Sequence, residues 1–176
     1  MKAVASEQRV VDSQPAAPGA ALLTTNHYPL TTALIIGYGN PLRSDDGFGW
    51  QMGHMLASEL AGQDVEVITC HQLTPELAER LSQASRAIFI DAAADGQPGA
   101  INHRTVRPQA GGSSTFTHDY TPSGLLASAQ QLYGHCPRAI IITVSAQSFA
   151  FGESLTPVVA AAQPKVLDQV RQWLRA

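Results

Sequence analysis

The sequence predicts an α/β protein: a single three-layer domain with a mostly parallel, twisted sheet of about five strands, helices on both faces and an antiparallel edge strand. Three observations predict it. Short apolar runs ended by Gly or polar residues recur along the chain, as expected for strands buried on both faces. They alternate with segments whose apolar residues return every three or four positions, and right-handed crossovers through such helices place helices on both sides of one sheet. At 176 residues, with 44% hydrophobic and 14% charged residues, the chain suits one globular domain with a continuous core.

Residues 1 to about 30 are rich in Ala, Pro, Ser and Thr without periodicity, a composition that cannot offset its ordering entropy by burial. They are read as a flexible N-terminal leader (1–30), followed by the domain (31–176). The first strand is TALIIGYGN, beginning at Thr32. Phe48, Met52, Met55, Leu56 and Leu60 then mark one face of a helix running to about Ala61, with Gly62 as its stop. VEVITC (65–70) is the second strand. Thr74 followed by Pro75 opens a helix to about Gln83, since proline in the first turn loses no needed hydrogen bond. RAIFID, ending at Asp91, is the third strand. After the turn ADGQPGA, the segment INHRTV returns as an antiparallel edge strand, because the linker is too short for a parallel crossover. Thr121 and Pro122 open a helix to about Tyr133. RAIIITV (138–144) is the most apolar strand, Thr156 and Pro157 open the last helical region, and Pro164 should kink or divide it.

Composition excludes several classes of partner. The net charge of −3 and the scatter of the 11 Lys and Arg leave no basic stripe for nucleic acid. The longest apolar stretches fall far short of the roughly 20 residues of a membrane-spanning helix. Glu7, Arg9 and Asp12 interrupt any apolar core of a signal peptide, so a cytoplasmic setting is expected. Cys70 and Cys136 have no Cys-x-x-Cys spacing and are expected to be reduced and buried.

In an open α/β sheet the crevice lies beyond the carboxyl ends of the strands, so the informative residues follow the apolar runs. These are Gly37, Gly39, Asn40, Asp45, Asp46, His71, Asp91, His118 just before a helix, and Ser145 to Glu153. Singly, each has a plain explanation. Gly-x-Gly after a strand is common, and here no third glycine completes a dinucleotide fingerprint. Asp45 and Asp46 suit anionic caps at a helix start, Asp91 a turn residue and His118 a solvated loop. Together, two or three carboxylates and an imidazole at one sheet edge make an N/O donor set suited to a divalent transition metal. Local His-Glu-x-x-His spacing is absent, which disfavours a permanently bound zinc. A Gly-x-Ser-x-Gly elbow is absent too, and adjacent Cys70 and His71 point to opposite faces of a strand, so neither a serine triad nor a Cys–His pair is supported.

The segment GYGNPLRSDDGFG resembles the N-terminal signature of [NiFe]-hydrogenase maturation endopeptidases, Gly-x-Gly-Asn-x-Leu-x-x-Asp-(Asp or Glu)-x-x-Gly. RAIFIDAA, the segment from His118 to the Leu125–Leu126 pair, and GESLTPVV follow in the family's order, so the resemblance spans about Leu34 to Leu174. It implies metal ligands at Asp46, Asp91 and His118. The choice between Asp45 and Asp46 stays open, because the family's first ligand is a glutamate in some members. No ligand role carries over to His71, which is a candidate for lining the substrate groove. The implied activity is nickel-gated removal of a C-terminal peptide from a hydrogenase large-subunit precursor. Nickel is then recognised in the substrate, and no permanently bound cofactor is expected. Either that nickel polarises the scissile carbonyl or positions water, or a carboxylate such as Asp45 acts as general base. A non-catalytic assembly chaperone that holds the nickel-loaded precursor is the alternative, a nucleotide-binding enzyme a distant third. A monomer without membrane or nucleic-acid partners is expected.

Overall fold

The computed structural model describes residues 33–109 and 120–176; the expected leader and His118 lie outside the described residues. Five apolar runs form the strands β1 (Ala33–Tyr38), β2 (Val65–Cys70), β3 (Arg86–Ala93), β4 (Ile101–Val106) and β5 (Arg138–Ser145). They make one sheet in the order β2-β1-β3-β5-β4. β2, β1, β3 and β5 run parallel, and β4 pairs antiparallel with β5, as the short linker before it required. The expected architecture is the one observed.

Helices cover both faces. On one, Leu34, Ile36, Phe89 and Ile141 pack against α2 (Leu77–Ser82) and α3 (Pro122–Tyr133). On the other, Ile35, Ile88, Ile90, Ile142 and Val144 meet α1 (Phe48–Glu59), α4 (Pro157–Ala160) and α5 (Gln163–Arg175). Both cores thus draw on alternate residues of the same central strands, which is why those strands read as unbroken apolar runs. None of the described helices is long and apolar enough to cross a membrane.

Several boundaries differ from expectation for local reasons. α2 starts two residues late, at Leu77, because residues 74 to 78 first close turns, with Leu77 N–H donating to Thr74 O (3.2 Å) and Ala78 N–H to Pro75 O (3.0 Å). β3 continues past Asp91 to Ala93, since Asp91, Ala92 and Ala93 keep their pairing with Thr143, Val144 and Ser145. The last helical region is divided as predicted: α4 ends at Ala160, and Pro164 stands in the first turn of α5, where its missing N–H is not needed. Both cysteines are free, but only half-buried, because Cys70 ends the edge strand β2 and Cys136 lies in the loop before β5.

Candidate active site

The turn after β1 is built by glycines. Gly39 has φ +137°, and a Cβ there would stand 1.9 Å from the carbonyl oxygen of Asp46. A Cβ on Gly49 would stand 2.2 Å from Ile90 O and 2.3 Å from Tyr38 O, so the start of α1 lies directly on the ends of β1 and β3. Asn40 closes the turn, its Oδ1 accepting from Leu42 N–H (3.0 Å) and its carbonyl from Arg43 N–H (3.1 Å). A single 3-10 turn, Ser44–Gly47, then carries the two aspartates.

Those neighbours part company. Neither makes a side-chain cap at the turn's N-terminus. Asp45 is fully buried and reaches across to the segment after β5. Its Oδ2 accepts from Gln147 N–H (2.8 Å) and Ser148 N–H (2.9 Å), and its Oδ1 from Thr156 N–H (2.7 Å). The Thr156 hydroxyl, 3.0 and 2.9 Å from the two oxygens, donates a hydrogen bond to the same carboxyl. Around this clasp, Ser44 N–H donates to Gly152 O (2.7 Å), Ser44 Oγ to Ser154 O (3.1 Å) and Gly152 N–H to Leu42 O (3.0 Å). These bonds hold Ser44 at φ 50°, a left-handed conformation that few non-glycine residues adopt.

Asp46 faces the other way, half-buried, with Oδ2 accepting from Asn40 N–H (3.2 Å). Across the rim lies Asp91, near the end of β3, whose Oδ1 accepts from Ala92 N–H (2.8 Å) and whose carboxyl is hydrogen-bonded to the Tyr38 phenol. Burial pushes the Asp91 carboxyl up to about 6. The Tyr38 and Ala92 donors oppose that shift, and the nearby charge of Asp46 adds to it. Tyr38 is itself raised, first by burial and then by the charge of Asp91. Two oxygen-donor groups at one rim, the charge of Asp46 acting on Asp91, are a fit for a divalent cation, which would relieve that repulsion.

The structure therefore brings Asp46 and Asp91 together and sends Asp45 elsewhere. Among the described residues no three His, Cys, Asp or Glu side chains gather as a complete metal set; His118, three residues before the α3 cap Thr121, is outside them. His71 is exposed just after β2. Reasoning from sequence missed Tyr38, which hides in the variable position of Gly-x-Gly-Asn. It also read Thr156 only as a helix start, whereas Thr156 makes no side-chain cap and serves Asp45. Thr121, read the same way, does cap its helix, accepting from Gly124 N–H (3.1 Å).

Fold and rim together define a class: this is the fold of solved hydrogenase maturation endopeptidases, and the chain resembles them over about four-fifths of its length. Among them are the hydrogenase maturating endopeptidase HybD from E. coli (TM-score 0.66, 23% identity, covering 82% of this chain and 92% of that one) and the [NiFe] hydrogenase maturation protease HycI from Thermococcus kodakarensis KOD1 (0.66, 20%, 83% and 94%). The hydrogenase 2 maturation peptidase from Thaumarchaeota archaeon SCGC_AB-539-E09 is similar at TM-score 0.61 and 24% identity, over 81% and 97%. At these identities the likeness establishes the fold. No protein-family model matches the chain, and no curated protein matches it.

Proposed function

We propose that this chain is a peptidase of hydrogenase maturation, an endopeptidase that removes a C-terminal peptide from a [NiFe]-hydrogenase large-subunit precursor once nickel is in place. The observation that carries the reading is the pair Asp46 and Asp91, two carboxyl groups close enough to interact at the carboxyl rim of a sheet with the fold of such enzymes. The complete signature from Gly37 to Gly49 and the position of His118 ahead of α3 support it. In this reading Asp46, Asp91 and His118 take hold of nickel carried by the precursor, which brings the bond to be cut against the rim. Nickel there supplies Lewis-acid polarisation of the scissile carbonyl or positions water. Asp45, buried and surrounded by four donors, builds the loop that presents Asp46; that leaves it poorly placed to accept a proton from water. The enzyme works in the cytoplasm as a monomer and keeps no cofactor of its own.

The test uses purified protein mixed with nickel-loaded and nickel-free precursor, both weighed by mass spectrometry. Loss of a C-terminal peptide from the loaded form alone is expected. Stable binding of the loaded form without any mass loss would favour the assembly-chaperone reading instead. In cells, Asp46→Ala, Asp91→Ala or His118→Ala should leave the large subunit unprocessed, and normal processing in all three would remove this site from consideration.

A further inference from the structure

Sheet register places Tyr38 in a row of side chains on one face at the rim. Tyr38 is the partner of Cys70 on β2, and the pairing of Gly37 with Ile90 sets it beside Asp91 on β3. Asp91 in turn pairs with Thr143, which pairs with Asn102. All five stand on the face covered by α2 and α3, as their alternation with Ile36, Phe89 and Ile141 requires. The Tyr38 ring packs against that core, so its hydroxyl sits at the end of a clamped ring rather than a mobile arm.

We infer that Tyr38 is a positioning residue: its hydroxyl, bonded to Asp91, holds that carboxylate in the orientation in which it meets the metal carried by the substrate. This rests on the proposed function. A single donor, the Ala92 N–H at 2.8 Å, fixes one oxygen but leaves the carboxylate plane free to swing; a second donor from the neighbouring strand fixes the plane. The turn does not demand tyrosine at this place. Gly37 and Gly39 are dictated by the backbones of Gly49 and Asp46 against them, whereas the Tyr38 ring packs against the core of one face. A phenylalanine would fill the same apolar seat. The hydroxyl is therefore the part of Tyr38 that the fold does not need and that Asp91 uses. The cation of Arg104 on β4, which also acts on the phenol, belongs to the same surroundings. Partners of this kind, which orient a ligand from outside, are worth roughly 10- to 100-fold in metal affinity or activity.

The variant Tyr38→Phe removes one oxygen atom. Titration of purified protein with nickel ion should show affinity about tenfold weaker than wild type, and kcat/KM on nickel-loaded precursor should fall by about the same factor or more. In an Asp91→Asn background the substitution should change nickel affinity no further, because Tyr38 acts through Asp91. Unchanged affinity and cleavage in Tyr38→Phe would overturn the inference, as would an effect that persists at full size without the Asp91 carboxylate. Loss of folded structure in Tyr38→Phe, seen by circular dichroism, would also overturn it, since the hydroxyl would then serve the fold. A wild type that leaves loaded precursor intact, while nickel affinity still drops on Tyr38→Phe and not in the Asp91→Asn background, would sink the proposed function and keep the positioning role.

Discussion

Asp91 costs the folded state stability in order to stand where it does. Its carboxyl is pushed up to about 6 from 3.8, chiefly by burial, so the folded chain holds this proton more tightly than the unfolded chain. The cost is absent below 3.8, grows between 3.8 and about 6, and is complete above that, where it reaches about 3 kcal/mol. Asp91→Asn, which keeps an acceptor for Tyr38 and Ala92, should therefore melt higher than wild type at pH 8 and alike near pH 4; a lower melting temperature at pH 8 would contradict this account. Asp45 is buried as well, and its carboxyl is matched by donors on both oxygens. Asp45→Ala strands the N–H groups of Gln147, Ser148 and Thr156 and should lose on the order of 3 kcal/mol in urea unfolding. Which of two adjacent aspartates turns inward was not legible in the motif. The decision belongs to residues 147 to 156, about a hundred positions away in the chain, and no local pattern announces them.

At the scale of elements, the rim is shaped by how closely α1 approaches the sheet. Gly49→Ala places a methyl group against the carbonyls of Ile90 and Tyr38 and must push α1 outward, costing about 1–3 kcal/mol or more. Because the same displacement moves the turn bearing Asp46, precursor cleavage should drop beyond what the loss of stability explains, a comparison made at a temperature where the variant is fully folded. Thr121→Ala gives the contrast: loss of a cap bond worth about 1 kcal/mol, read from the shift in urea midpoint, with the rim carboxylates untouched. Thr121 and Thr156 look identical in sequence, each a threonine before a proline. One caps and the other does not, since Thr156 has a buried carboxyl within reach and its hydroxyl bonds there instead.

Over the whole molecule, one sheet serves two cores, so neither face can unfold alone. Trp173 on α5 packs against the core of one face, Trp50 stands on α1 over the same face, and Phe89 fills the other. Phe89→Ala should shift the tryptophan fluorescence and circular dichroism transitions together, by about 3–5 kcal/mol, and separation of the two curves would show that the faces are independent. Strand order in the chain, helix placement and the antiparallel return of β4 were all legible beforehand, because hydrophobic periodicity and linker length are local properties and admit few topologies. The same holds for the residue types at the strand ends, which are set by where each apolar run stops. What no local property carries is the partner a polar side chain finds across the rim. The approach of the loop after β5 buries Asp45 and thereby leaves Asp46 at the surface, and the sheet register seats the Tyr38 phenol on Asp91. Those outcomes depend on contacts between segments distant in the chain, and only the closed sheet brings them within hydrogen-bonding reach.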